Sequence, residues 1–295
     1  MDKLKVALTG TSGLIGKDMW EALKDDENFE VWGVGRRKPD YIPLPRWRTL
    51  DIVDALLTAQ TITQINPDCV IHFAAISNPD ECEKDPETAY KANALGTRNL
   101  ALACQRFDAE LLYVSTDQVF NGKSERPYRE IDLTAPLNHY GKSKLWGEDF
   151  VRTLLPRHYV VRTALVFGLA RPTFLDRVVN SALNKEPLTA AVDLVNSPTY
   201  SWDLCQAIKY LIGTHVYGTY HIANEGHVNR YELASFVAES LGLNADFIMK
   251  GSQLKLGLPA LRPEFSPLEN FVWNLNGFPK LRHWKEAVLD FLEAL

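Results

Sequence analysis

Tyr140 and Lys144 stand four residues apart in the stretch Asn138-His139-Tyr140-Gly141-Lys142-Ser143-Lys144. On a helix this spacing puts a phenol and an ammonium on one face. A free phenol titrates at about 10, too high for ready proton exchange at neutral pH. A nearby ammonium stabilises the phenolate and moves the phenol toward a useful range. The pair is therefore a candidate for proton transfer to a carbonyl oxygen. The same residues, together with Lys142, would also suit a solvated basic face.

A second polar group lies upstream. Ser115-Thr116-Asp117-Gln118 follows the apolar run Leu111-Leu112-Tyr113-Val114, which has the character of a buried strand. The carboxyl end of a buried strand is where an α/β protein places its chemistry. Asp117 could orient a ligand hydroxyl, or it could be a carboxylate satisfied within a turn.

A third group could hold an anion. Gly10, Thr11, Ser12, Gly13, Leu14, Ile15 and Gly16 join the first apolar run, Leu4–Thr9, to a helical pattern. Glycines let a backbone turn tightly against a pyrophosphate, and a helix start offers it free N–H groups. The spacing is Gly-x-x-Gly-x-x-Gly, and its place directly after a strand supports a nucleotide site. The second strand ends Gly33-Val34-Gly35-Arg36-Arg37. An NAD-specific site has an acidic residue in that region, whereas a guanidinium suits a 2′-phosphate. Arg36 and Arg37 thus favour NADP(H), with NAD(H) as the alternative and a solvated basic turn as the plainer reading.

These groups need a rigid frame. Strand signals at Leu4–Thr9, Phe29–Val34, Cys69–Ala74, Leu111–Val114 and His158–Phe167 alternate with helical spacing at 17–24, 54–65, 86–107 and 143–154. That alternation predicts a Rossmann-type, doubly wound parallel sheet with helices on both faces. Beyond Gly168 the pattern is mixed, with helical spacing at 174–183 and 231–241 and a strand at 218–223. The expected division is a dinucleotide-binding domain over 1–168, joined by 190–223. A smaller, partly interleaved substrate-binding lobe takes 169–189 and 224–295.

Composition narrows the function. A formal net charge of −5 gives no field favouring a nucleic acid polymer or an anionic membrane. No apolar run is long enough to span a bilayer, which needs about 18 residues or more. The four cysteines form no CxxC pair, so no metal site or disulfide framework is expected, and a reducing cytoplasm fits.

Taken together, the glycine spacing, Ser115-Thr116-Asp117 and Tyr140-x-x-x-Lys144 resemble the extended short-chain dehydrogenase/reductase family. The resemblance continues through His72-Phe73-Ala74-Ala75, Asn93–Leu100, Arg162-Thr163, Ser197–Tyr200, Arg262–Leu268 and Trp284–Ala287. That set is similar to the dTDP-4-dehydrorhamnose reductase branch, and it covers essentially the whole chain.

The resemblance implies roles. Tyr140 would protonate the carbonyl oxygen, Thr116 would hydrogen-bond it, and Lys144 would hold the nicotinamide ribose and lower the tyrosine pKa. Asp51 and Ile52 would reach the adenine. Phe73, Ala74 and Ala75 would pass close to the cofactor, while Asn93 would order the adjoining helix. Asp117, Gln118 and Arg262 would meet a nucleotide-linked sugar, and a homodimer is compatible with the family. In the related sugar-nucleotide dehydratases an Asp-Glu pair acts as acid and base. Here the second position is Gln118, whose carboxamide cannot exchange a proton near neutral pH. Reduction of a C4 keto group in a nucleotide-linked 4-keto-6-deoxy sugar is the expected activity. A cofactor-binding regulatory subunit similar to methionine adenosyltransferase β is one alternative, and a sugar-nucleotide epimerase is another. One departure is Ala164-Leu165, where the rhamnose reductases usually have Ser-Trp. Leu165 is expected in an ordinary buried strand.

Overall fold

Seven parallel strands form the centre of the structure, a computed structural model that describes residues 3–295. They are β1 (Leu4–Thr9), β2 (Phe29–Gly35), β3 (Trp47–Thr49), β4 (Cys69–His72), β5 (Glu110–Thr116), β6 (His158–Thr163) and a last strand, Gly218–His221. Side by side they run Gly218–His221, β6, β5, β4, β1, β2, β3. The order reverses between β1 and β4, which opens a crevice beyond the carboxyl ends of the strands. This is the doubly wound α/β sheet that the sequence pattern predicts.

Both faces of the sheet are covered, so its central strands need no polar side. Every residue of β4 and of β5 is buried. On one face the helix Leu14–Leu23 turns Met19, Trp20 and Leu23 inward, and the helix Ser201–Ile212 packs beside it. The other face carries the helices Ala55–Ile65, Gly96–Arg106 and His139–Leu154. A separate apolar cluster, with Phe167, Leu175, Val178, Leu233, Val237, Trp284 and Phe291, fills the second lobe.

Three local features differ from expectation. The long helical stretch from Pro86 contains a π-helical turn at Lys91–Leu95 before it resumes at Gly96. The helix carrying Tyr140 starts at His139, four residues early, because the Asn138 side chain accepts from Gly141 N at 2.8 Å and caps it. The run His158–Phe167 is not one strand. Leu165 takes φ +40°, a left-handed conformation uncommon for a side-chain-bearing residue, and turns the chain out of the sheet. Val166–Phe167 then pairs with Thr199–Tyr200. Leu165 is therefore a half-buried turn residue facing the crevice, not a buried strand residue.

Among the described residues no helix is long and apolar enough to cross a membrane. Nor do three or more His, Cys, Asp or Glu gather there to hold a metal ion.

Candidate active site

One cavity of about 1270 Å³ follows the carboxyl ends of the strands. All of Gly10–Gly16 lines it, with Arg36, Arg37, Asp51, Ile52, Phe73, Ala74 and Ala75. Thr116, Asp117, Gln118, Tyr140, Lys144 and Arg262 line it too. Residues far apart in the chain therefore meet in one place.

The glycine loop is built for close approach. Gly10 has φ +71°, and a Cβ there would stand 2.6 Å from Ala74 N. Only a glycine lets the turn after β1 touch the segment after β4. Gly13 begins the helix Leu14–Leu23 without a side-chain cap, so its first N–H groups face the cavity without a side-chain acceptor. The Thr11 hydroxyl is buried and has no hydrogen-bond partner among the described residues. A loop with unclaimed donors and no room for side chains fits a dinucleotide pyrophosphate. Arg36 and Arg37 are exposed at the end of β2. Asp51 is exposed, and Ile52 is held by Asn99 Nδ2, which donates to its carbonyl at 2.9 Å.

Beneath the loop, Thr9 Oγ1 and His72 Nδ1 are 2.7 Å apart, and His72 Nε2 lies 3.0 Å from Thr97 Oγ1. Burial, with Lys144 nearby, holds this imidazole well below the ordinary histidine range. Asn93, inside the π turn, accepts from Ile76 N at 2.8 Å and donates to Ser143 Oγ at 3.0 Å. It ties the segment after β4 to the helix of Tyr140.

That helix also sits hard against the end of β5. A Cβ on Gly141 would overlap the Gln118 carbonyl oxygen. Lys144 Nζ donates to Val114 O at 2.7 Å and lies 4.0 Å from the centre of the Tyr113 ring. Burial pulls Lys144 down to about 7, against the opposing pull of Glu148. Glu148 is fully buried, bound by both Arg162 Nε and Nη2 and by Ser115 Oγ at 2.5 Å. The expectation that Lys144 lowers the tyrosine pKa needs correction. Burial pushes the Tyr140 phenol up, and the Thr116 hydroxyl opposes this only in part. The phenol thus keeps its proton at neutral pH.

Asp117 and Arg262 are placed differently from the simple picture of two substrate contacts. Asp117 Oδ2 accepts from Asn196 Nδ2 at 3.0 Å and Ser266 Oγ at 2.5 Å, while Oδ1 accepts from Thr116 Oγ1 at 3.1 Å. Burial raises its carboxyl pKa. The carboxylate thus ties the end of β5 to the second lobe. Arg262 makes a bidentate pair with Asp80, at 2.8 and 2.6 Å. Gln118 Oε1 accepts from Asn138 Nδ2 at 2.8 Å.

The family model described as RmlD substrate binding domain matches residues 4–295. The chain belongs to this family. A dTDP-4-dehydrorhamnose reductase of Streptomyces griseus is 33% identical over 98% of this chain and 93% of its own. The spore coat polysaccharide biosynthesis protein SpsK of Bacillus subtilis is 32% identical over 98% and 97%. Among solved structures, the dTDP-4-dehydrorhamnose reductase of Bacillus anthracis in complex with NADP superposes with a TM-score of 0.91. It is 32% identical, and the match covers 100% of both chains.

Several residues of this RmlD-family site carry no motif signal. Asn138 could have been found, since Asn just before a helical pattern is a capping type. Asn196 and Arg230 reach the cavity, and Asp80 meets Arg262 at its edge, only through tertiary pairing. Val228–Asn229 pairs antiparallel with Val195–Asn196, which brings Arg230 beside the residue that holds Asp117.

Proposed function

We propose that the protein is an NADP(H)-dependent reductase of the C4 keto group in a nucleotide-linked 4-keto-6-deoxy sugar, similar to dTDP-4-dehydrorhamnose reductase. Support comes from one observation above all: the glycine loop, Thr116, Tyr140 and Lys144 line a single cavity within the RmlD family's fold. Residues Gly10–Gly16 would hold the pyrophosphate, and Arg36 and Arg37 the 2′-phosphate. Asp51 and Ile52 would border the adenine, and Phe73–Ala75 would border the rest of the cofactor. NAD(H) is the weaker alternative. The nicotinamide, when bound, supplies the hydride.

The chain's own residues would handle the carbonyl oxygen. Tyr140 gives it a proton as negative charge develops there. Thr116 lies beside that phenol and offers a second hydrogen bond once its hydroxyl turns away from Asp117 Oδ1. Lys144 anchors the cofactor ribose from the next turn of the same helix. Gln118 has no proton to exchange, so the site reduces and does not dehydrate. In this reading the sheet with residues 190–223 binds cofactor, and residues 169–189 and 224–295 cover the sugar. The enzyme works in the cytoplasm, and gel filtration decides whether it does so as a homodimer.

The test is NADPH absorbance against a panel of nucleotide-linked 4-keto sugars. Consumption with at least one of them is expected. Tight NADPH binding with no turnover of any would favour the regulatory-subunit reading instead.

A further inference from the structure

The cavity has basic residues at two separate places. Arg36 and Arg37 stand at the end of β2, while Arg171, Arg230 and Arg262 come from segments after β6. The cofactor gives the first pair its anion. Of the second set, Arg230 lies near Asp117 and Arg262, on the side left for substrate, whereas Arg171 lies near Tyr41, whose hydroxyl meets the glycine loop.

Its members are not equivalent. Arg262 already has an anion, since both its terminal nitrogens meet Asp80, and Ala260 N also donates to Asp80 Oδ1 at 3.0 Å. Asn138 Nδ2 holds the neighbouring Leu261 carbonyl at 2.8 Å. Residues 260–262 are thus pinned across the cavity mouth. Arg230 is half-buried and has neither hydrogen bond nor ion pair among the described residues. Its Cζ lies 5.3 Å from the Phe174 ring centre. Its backbone is fixed, because Asn229 caps the helix Arg230–Ser240 by accepting from Glu232 N at 2.8 Å. Burial lowers Arg230 to about 10, though Asp117 opposes this. A half-buried guanidinium without a partner gives up part of its hydration at a cost in free energy, and a bidentate anion offsets that cost.

We propose that Arg230 grips the diphosphate of the nucleotide-linked substrate, while Arg262 braces the loop over the cavity. This rests on the nucleotide-sugar reading of the site. Arg suits the task because its planar fork matches two phosphate oxygens at once. The competing role for Arg230 is a plain counter-charge to Asp117.

Equilibrium dialysis of the NADP⁺-loaded protein separates these roles. The probes are dTDP, UDP and GDP, each beside its own nucleoside. The native chain should hold one diphosphate far more tightly than its nucleoside. Arg230→Gln should weaken that diphosphate about ten- to a hundredfold, the usual worth of hydrogen bonds to a charged group, with nucleoside and NADPH affinities unchanged. Arg230→Lys keeps the charge without the fork and should lose part of the preference, so it serves if Arg230→Gln does not fold. An unchanged diphosphate-to-nucleoside ratio in a folded variant overturns the proposal, even if turnover drops, because a counter-charge would act that way. If the native chain prefers none of the three diphosphates, the nucleotide-sugar reading itself falls, and this proposal with it.

Discussion

Asn138 joins Gln118 to the helix of Tyr140: its Nδ2 donates to Gln118 Oε1 at 2.8 Å, and its Oδ1 accepts from Gly141 N at 2.8 Å. The carboxamide at the end of β5 therefore braces the element that presents the phenol. A dehydratase would need a group at this position free to take and return a proton.

The native protein should release no 4-keto-6-deoxy product from an intact nucleotide-linked hexose. Gln118→Glu should not create that activity, because the new carboxylate would still face the Asn138 amide. Mass spectrometry of the reaction mixture decides, and a keto product from the native chain would rule out a simple reductase.

Tyr140→Phe removes one hydroxyl and leaves the ring. Reduction of a 4-keto sugar should fall about 10²–10⁴-fold, the range for a positioned general acid, with NADPH affinity retained. Thr116→Val should do less damage, since Tyr140 can still deliver the proton. Steady-state rates with a confirmed substrate check the order, and full activity in Tyr140→Phe removes the phenol from the mechanism.

Arg36→Asp should reduce the preference for NADPH over NADH, because it replaces the cation that the proposed reading sets against the 2′-phosphate with an anion. Fluorescence titration with both cofactors measures the ratio. If the ratio stays at the native value, the exposed arginines after β2 form only a solvated turn.

Lys144 gives the cofactor-free protein a characteristic pH response. The folded group titrates at about 7, and an unfolded lysine at about 10.4. Between these values the unfolded chain binds the extra proton, so stability rises with pH. Below about 7 the burial penalty applies in full. The native chain should gain up to about 1.4 kcal/mol per pH unit relative to Lys144→Met across that window. Urea unfolding of both proteins at several pH values tests this, and parallel curves would mean that Lys144 is solvated.

The frame was readable because β1, β2, β4 and β5 are apolar runs ended by glycine, proline or polar residues, and both faces of a parallel sheet are buried. β3 was not, since Trp47–Thr49 is three residues long and carries an arginine in its middle. The turn at Leu165 was hidden because a left-handed backbone at leucine leaves no trace in residue type. Within the site, local spacing revealed the glycine loop and the Tyr140–Lys144 pair. Arg230 and the partners of Asp117 were not visible, because their placement depends on strand pairing between distant segments.

The last strand of the sheet, Gly218–His221, lies beside β6 although residues 164–217 are encoded between them. A chain emerging from the ribosome must therefore wait for residue 218 before β6 loses its open edge. During that interval β6 offers unpaired backbone groups to other nascent chains. Slowed translation between residues 163 and 218 would prolong this exposure, so aggregation in cells should respond to codon choice in that window more than to codon choice elsewhere.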